Sequence, residues 1–382
     1  MPEPISIITN WTHEAKIVPG FLFPLSPFFY TKNTTLREDY KKILDSLGKD
    51  TQQEAESPKK PNDRVLLIDS LNSFIRSFTV IQHINKSGNH IGGLTGYLRS
   101  LAYAINLVRP TRVILVFDGQ GSSTNKRYIY PEYKANRGIR RITNWDSFEN
   151  QEQESEAITN QIVRLIDYLK CLPVDLLSID KVEADDVIGH LVSKLPDSKI
   201  TIVSSDRDYL QLVNQNVEVY SPTKKVFYNQ KRVKEEYDVT PQNFLTHKIL
   251  VGDSGDNVPG IKGMGIKTLV KHFPELKFED PFTIEMLLEK SEASLSDKKT
   301  AKIHAKILAY KNQLMINKLL MDLQCPNIPQ ESAEYIDELL KTPNRNFYPR
   351  EFQILYNEDD LGNSISNVQS WLYTAFHELS KI

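Results

Sequence analysis

Carboxylates dominate the residues that can do chemistry, and they fall in short clusters. Glu183, Asp185 and Asp186 stand together in Val182-Glu-Ala-Asp-Asp186, and Asp206 and Asp208 flank one residue in Ser204-Ser-Asp-Arg-Asp208. Asp253 and Asp256 are three apart in Gly252-Asp-Ser-Gly-Asp-Asn257, while Asp69 and Asp118 each end an apolar run. A single acid at such an end is an ordinary turn residue, and acids at a helix start are favoured by its positive end. The clustering exceeds both needs, because carboxylates brought together repel unless cations or protons offset them. All-oxygen donors at this density suit hard divalent ions, Mg2+ first and Mn2+ as its substitute. Zinc fits poorly, because no histidine joins the motifs and Cys171 and Cys325 form no paired ligand pattern.

The elements that must position these acids are legible as three apolar runs. Arg64-Val-Leu-Leu-Ile-Asp69, Arg112-Val-Ile-Leu-Val-Phe-Asp118 and Lys199-Ile-Thr-Ile-Val-Ser-Ser-Asp206 read as buried strands alternating with helical patterns. That alternation predicts an α/β fold: a mostly parallel central sheet with helices on both faces. Ligands of such sheets gather beyond the carboxyl ends of the strands, and all three terminal acids face that rim. Glu183 and Asp186 share a side of the first turn of a helix whose apolar positions include Val187, Ile188 and Leu191.

Positive charge is concentrated from Lys126 to Arg141, where six of 16 residues are basic and one is acidic. With a helix interrupted only near Pro131, Lys126, Tyr130, Lys134 and Arg137 approach one side, combining phosphate contacts with an aromatic surface for stacking. Five acids and no base follow between Asp146 and Glu156, a stretch suited to border an opening rather than to touch phosphate. A second phosphate element is Val258-Pro-Gly-Ile-Lys-Gly-Met-Gly-Ile-Lys-Thr-Leu269. Gly260, Gly263 and Gly265 permit a tight turn, Ile266–His272 can start a helix with free amides, and Lys262 and Lys267 add charge. With Phe244–Leu250 as the preceding helix, the outline is a helix-hairpin-helix, and the spacing does not match a nucleotide-binding GxxxxGK[ST] loop.

The 382 residues carry 47 Lys plus Arg against 49 Asp plus Glu, with 40% hydrophobic residues. This predicts one large or two modest folded domains and argues against a disordered chain, a polybasic tail or a disulfide scaffold. The start has no signal-peptide pattern, and the aromatic run at 21–30 is broken by two prolines. It is read as a packed arm or a partner-binding segment rather than a membrane anchor. Residues 49–63 look like a linker. Farther on, Ala301–Leu320 reads as an amphipathic helical stretch, and the aromatic end at 371–376 is expected to pack on the body.

Together these motifs resemble the 5' nuclease family, which includes flap endonucleases, the 5'-3' exonuclease domain of bacterial DNA polymerase I and the ribonuclease H of T-even bacteriophages. The resemblance covers about residues 64–326. It rests most on Tyr133-Lys-Ala-Asn-Arg137, Glu183-Ala-Asp-Asp186, Ser204-Ser-Asp-Arg-Asp208 and the run Gly252–Thr268.

The resemblance implies a PIN-like sheet with a helical C-terminal subdomain. It divides the chain into an extension and linker at 1–63, a nuclease domain at 64–230 with a basic gateway at about 122–157, a helix-hairpin-helix subdomain at 231–326 and a C-terminal extension at 327–382. It places one metal group on Asp69, Asp118, Glu183 and Asp185 with Asp186 close by, and a second on Asp206, Asp208, Asp253 and Asp256. The gateway falls on Lys126 and Lys134 with Arg127 and Arg137 nearby, although many relatives have arginine at the position of Lys126. Two divalent ions are implied, with K+ at the Gly260–Lys267 hairpin. The implied activity is hydrolysis of phosphodiesters at 5' ends and flaps of duplex DNA and at RNA primers on DNA, leaving 5' phosphates. A monomer is expected, the unpaired cysteines fit a cytoplasmic setting, and a single-strand-binding protein or sliding clamp is kept as the alternative partner of either terminal addition. A noncatalytic DNA-binding module and a small-molecule phosphatase are the alternatives.

Overall fold

Runs of Val, Ile and Leu become strands because branched side chains fit a pleated surface buried on both faces. The structure, a computed structural model, describes residues 60–138, 143–144, 146–296 and 300–382. The predicted arm and nearly all of the linker, residues 1–59, lie outside the described residues. So do 139–142 and 145 of the gateway.

Among the described residues one sheet runs β3-β2-β1-β4-β5-β6. Its strands are β1 (Arg64–Asp69), β2 (Arg112–Asp118), β3 (Asp175–Ile179), β4 (Lys199–Val203), β5 (Val217–Ser221) and β6 (Val226–Tyr228). Only β6 is antiparallel to its neighbour. The chain winds outward from β1 to β3, then returns to β1's other side and winds away through β4. The winding therefore reverses between β1 and β4, where a crevice opens at the carboxyl ends of the strands. Asp69 pairs in register with Val116, and Ile68 with Val203, which puts Asp69 level with the start of Ser204-Ser-Asp206.

Alternate strand residues feed two cores. Leu66, Ile68, Val113 and Leu115 pack with α1 (Ser70–Val80) and α2 (Gly92–Val108). After β2, α3 (Thr124–Ile129) leads through a turn and a short 3-10 segment (Ala135–Gly138) to α4 (Gln151–Lys170), which returns to that face through Leu165 and Leu169. Val65, Leu67, Ile114 and Val116 face α5 (Ala184–Lys194). Beyond β6 come α6 (Gln230–Tyr237), α7 (Pro241–Val251), α8 (Ile266–His272), α9 (Ile284–Ala293), α10 (Ala301–Ala309) and α11 (Lys311–Met321). From α7 onward they share a core of their own, with Ile249, Leu269, Phe273, Leu287, Ile307 and Leu314 buried. The stretch 301–320, read as continuous, is broken at Tyr310 between α10 and α11.

The C-terminal residues are α12 (Gln330–Lys341), α13 (Pro349–Glu358) and α14 (Val368–Phe376), and they are structural rather than peripheral. Ile336 enters the α5 side of the sheet, while Phe352, Leu372 and Phe376 enter the α1 side. Arg112, at the start of β2, fixes the arrangement. Its guanidinium is buried, donates to Asp175 at 2.7 Å, and reaches the carbonyls of Leu339 and Leu340 at 2.6 and 2.8 Å. It thereby satisfies orphan carbonyls in the last turn of α12. Residues 327–382 thus complete the two layers instead of extending beyond them. Among the described residues no helix is long and apolar enough to cross a membrane.

Candidate active site

Asp69 ends β1 and caps α1, accepting the Asn72 amide at 3.3 Å. Its other oxygen accepts the hydroxyls of Ser204 and Tyr209, each at 3.2 Å, tying β1 to the segment after β4. Asp118, at the end of β2, accepts the Ala184 amide at 2.9 Å and so caps α5 from outside. That exchange frees Glu183, at the cap position, from capping its own helix.

Glu183 is buried and instead gathers three partners from the basic stretch. Lys126 Nζ and the Tyr133 hydroxyl donate to its Oε2 at 3.0 and 2.8 Å, and Lys134 Nζ donates to its Oε1. Lys126 also lies 3.4 Å from Asp185 and 3.0 Å from Asp186. The carboxylate oxygens of Glu183, Asp185 and Asp186 fall within 4.8 Å of one another, a donor set suited to a hard cation.

The basic stretch is not the helix face the sequence suggested. α3 stops at Ile129, and the chain turns so that Lys134 adopts a left-handed backbone with φ 56°. Its amide donates to the Asp256 carbonyl at 2.8 Å. Lys126 is 7% exposed and points into the carboxylates. Tyr130 is half-buried against Tyr133, Val258, Leu320 and Met321 rather than presented as an open stacking face. Arg127 is exposed and braces the turn through the Tyr133 carbonyl at 3.1 Å. Arg137 sits on the 3-10 segment, and its side chain lies outside the described part.

The remaining acids are linked by a lysine that sequence reasoning missed. Lys248 on α7 donates to Asp253 at 2.7 Å and forms an ion pair with Asp208 at 2.6 Å. Asp206 accepts the Asp208 amide at 2.9 Å. Asp256 joins the Glu183 group instead, through the Tyr133 hydroxyl at 3.2 Å and Lys134 at 3.9 Å. Tyr133 and Tyr209 were also missed as site residues. Each stands beside a named motif residue, Lys134 or Asp208, and that adjacency was the available signal.

The glycine turn follows directly. Asp253 and Val258 form an antiparallel bridge, and a buried Asn317 on α11 donates to the Ile249 and Pro259 carbonyls at 2.9 and 2.8 Å. Ile261 and Met264 anchor the turn in the helical core, leaving Lys262, Lys267 and Gly265 exposed before α8. The glycines have different causes. A Cβ on Gly260 would meet the Val251 carbonyl oxygen at 1.9 Å, whereas one on Gly265 meets nothing within 4 Å, and Gly263 sits at φ 84°. Gly260→Ala is therefore expected to cost about 1–3 kcal/mol in a denaturant titration, and Gly265→Ala to leave stability nearly unchanged.

Burial and mutual repulsion dominate the electrostatics. Burial, then Asp118, pushes Asp69 up to about 7. Burial, then Asp185, takes Asp186 to about 7 despite Lys126, and burial, then Asp206, takes Asp208 to about 7. Asp118 and Asp206 are raised chiefly by burial. Burial acts on Glu183 too, but Lys126 and Lys134 outweigh it and hold the group down to about 2. The same carboxylates drive Lys126 well above the ordinary lysine range despite its burial, so it stays charged.

These shifts set a pH dependence for metal-free protein. The unfolded chain releases its aspartyl protons near pH 4, while folded Asp69, Asp186 and Asp208 keep theirs to about 7. Stability therefore falls as pH rises through 7. Burial lowers His90, His190 and His247, so these offset part of the loss near the ordinary histidine value of 6.5 and are neutral in both states at higher pH, where the carboxylates alone set the trend. In EDTA the melting temperature is expected to drop by about 3 °C between pH 6.5 and 8, and a divalent ion to restore it more at pH 8. A flat melting profile would contradict this picture of the carboxylates.

Residues 64–238 match the family model of the 5'-3' exonuclease N-terminal resolvase-like domain. The 5'-3' exonuclease of Bacillus subtilis (strain 168) is 31% identical over 271 residues, covering 64% of this chain and 85% of that protein. The chain belongs to the 5'-3' exonuclease family. The 5'-3' exonuclease of Buchnera aphidicola subsp. Schizaphis graminum is 30% identical over 226 residues, 57% of this chain and 72% of the relative. DNA polymerase I of Bacillus subtilis matches at 26% over 264 residues, 67% of this chain but 27% of the polymerase. Among solved structures, the bacteriophage T5 flap endonuclease in a pseudo-enzyme–product complex with DNA and metal ions superposes with TM-score 0.59 at 19% identity, over 73% of this chain and 100% of the other. The T5 5'-exonuclease with bound zinc ions gives the same score and identity over 98% of its chain. This 5'-3' exonuclease family member is a nuclease that hydrolyses phosphodiester bonds, which sets aside the noncatalytic and phosphatase alternatives.

Proposed function

We propose that the chain is a divalent-metal-dependent 5'-3' exonuclease and 5' flap endonuclease that trims DNA 5' ends and removes RNA primers during replication or repair, leaving 5' phosphates. What carries this reading is the carboxylate triad at the switch point of the sheet, with oxygens within 4.8 Å of one another and two lysines pressed against it. Oxygen donors alone fit Mg2+ or Mn2+. Glu183, Asp185 and Asp186 with Asp69 and Asp118 would hold one ion, and Asp206, Asp208, Asp253 and Asp256 a second. Bound there, a metal would supply Lewis-acid chemistry, namely activation of the attacking water and neutralisation of charge on the phosphoryl oxygens and the leaving 3' oxygen.

The chain's own groups do the rest. Lys126 stays protonated and therefore supplies fixed charge rather than a base. Tyr133 and Lys134 hold the Glu183 carboxylate in one orientation, and Lys134 lies between it and Asp256. Backbone phosphates of duplex DNA would engage Lys262, Gly263, Gly265 and Lys267 in a helix-hairpin-helix, with K+ at the turn, and would give shape rather than sequence recognition. In this scheme 64–230 is the nuclease domain, 231–326 binds duplex, and the chain acts as a cytoplasmic monomer. Its partners include a single-strand-binding protein or sliding clamp.

The test is a time course on 5'- and 3'-labelled duplex, RNA-primer and 5'-flap substrates with Mg2+, Mn2+ or EDTA. Metal-dependent release from 5' ends is expected, and a ladder distinguishes trimming from a single junctional cut. Cleavage that persists in EDTA would overturn the metal assignment. For the hairpin, Gly265→Ala is expected to weaken duplex binding severalfold without altering the melt, because a methyl group there lies only in the path of an approaching backbone.

A further inference from the structure

A cavity of about 960 Å³ lies behind the carboxylate rim and takes no part in the chemistry above. Its floor includes Ile68 and Val203, the residues just before Asp69 and Ser204. Its walls are α1 and α2, which contribute Arg76, Arg99 and Tyr103, the β5–β6 turn with Lys225, and the C-terminal segment with Ser364 and Trp371. The size suits a ligand of one or a few nucleotides.

Charge decides what kind of ligand. The chain as a whole has slightly more acid than base, yet the lining contains three cations and no carboxylate. Two structural arginines elsewhere in this fold are paired with carboxylates, Arg112 with Asp175 and Arg164 with Glu358 and Asp359, and a third, Arg345, donates to the Thr111 and Leu379 carbonyls. Arg76, Arg99 and Lys225 have no ion pair with any described residue, and Arg76 Nε is buried with no hydrogen-bond partner. Unpaired guanidinium groups around a cavity are a phosphate receptor in search of its anion. The second element is aromatic. Tyr103 is 55% exposed beside Tyr220, with ring centroids 6.5 Å apart, and so leaves a face open for stacking.

Cations for phosphate with an open aromatic face for a base are the recognition chemistry of single-stranded nucleic acid. We propose that this cavity binds an unpaired stretch of the nucleic-acid substrate, with its phosphates on Arg76, Arg99 and Lys225 and a base against Tyr103. Arg76 lies two turns along α1 from Asp69, roughly 10 Å, so a strand held there sits within a few nucleotides of the carboxylates. Residues 363–366 and Trp371 make one wall, which gives the C-terminal layer a part in choosing substrates. The substrate assignment rests on the nuclease reading, but the binding site does not depend on catalysis.

The test separates the two. In EDTA, anisotropy of a fluorescein-labelled oligo-dT and of a blunt duplex is measured for the wild type and for Arg99→Ala/Tyr103→Ala, both exposed side chains. The variant is expected to lose about tenfold in affinity for oligo-dT and to keep its affinity for duplex. Arg76→Gln, with a melt to check folding, is expected to show the same selectivity. In Mg2+, the variants should raise KM for flapped substrates while kcat and trimming of blunt duplex stay unchanged. Equal losses on both nucleic acids, no loss on either, or displacement of oligo-dT by equimolar thymidine monophosphate would overturn the proposal. If oligo-dT binding depends on the cavity but no substrate is cut with any divalent ion, the cavity stands and the nuclease mechanism falls.

Discussion

Asp185→Asn is expected to lower 5'-end cleavage by about 10²- to 10³-fold and, at the same time, to make the metal-free protein more stable. The two effects share one cause. Asp185 is the carboxylate that its neighbours feel most widely, since its charge helps to raise Asp69, Asp118, Asp186 and Asp206. Removing that charge relieves repulsion among buried acids and removes an oxygen donor with full charge from the triad. The Asp186 amide that Asp185 accepts at 2.7 Å can still be accepted by the amide oxygen of asparagine, so the turn survives. Single-turnover cleavage in Mg2+ and melting in EDTA at pH 8 measure both sides. A variant that is inactive but less stable would mean that Asp185 acts as a structural acceptor rather than as part of a charge cluster.

Lys126→Met is expected to do the reverse to stability. The ammonium is almost wholly buried and touches Glu183, Asp185 and Asp186 within 3.4 Å. Deleting one partner of a buried ion network leaves the others uncompensated, typically at a cost of about 3–5 kcal/mol. The metal-free variant should therefore unfold at markedly lower denaturant. Millimolar Mg2+ should recover much of the loss, because a cation among the same carboxylates replaces the missing charge. Cleavage should still fall, since the wild type holds the Lys126 ammonium in addition to any bound metal and the variant has the metal alone. A variant that is as stable as wild type in EDTA would show that the lysine is not the counter-charge of Glu183.

The contrast between these variants shows what the sequence disclosed. The carboxylates were legible because each cluster is local: Glu183, Asp185 and Asp186 share a turn, and Asp206 and Asp208 straddle one residue. The three central strands were legible for the same reason, since each announces itself within seven residues, whereas β3, β5 and β6 were not read as strands. What joins the clusters is distant in the chain. Lys126 meets Glu183 across 57 positions, and the Tyr133 hydroxyl reaches Asp256 across 123. No periodicity carries such pairings, so the basic stretch read as an outward helix when it is a turn folded into the acids. Lys248 was overlooked because one lysine in a helix is ordinarily a solvated charge. Its role appears only when α7 lies against the segment holding Asp208.

Arg112 has a consequence for how such proteins can be divided. The match to the family model ends at residue 238, well before α12, yet the guanidinium at the foot of β2 spends its donors on the last carbonyls of that helix. A fragment cut at the limit of the family resemblance would strip Ile336 from one face of the sheet and Phe352, Leu372 and Phe376 from the other. It would also turn a satisfied buried cation into an open one. The segment that can be inherited is thus smaller than the segment that can fold. A minimal enzyme made from this chain has to be trimmed by its contacts rather than by its ancestry.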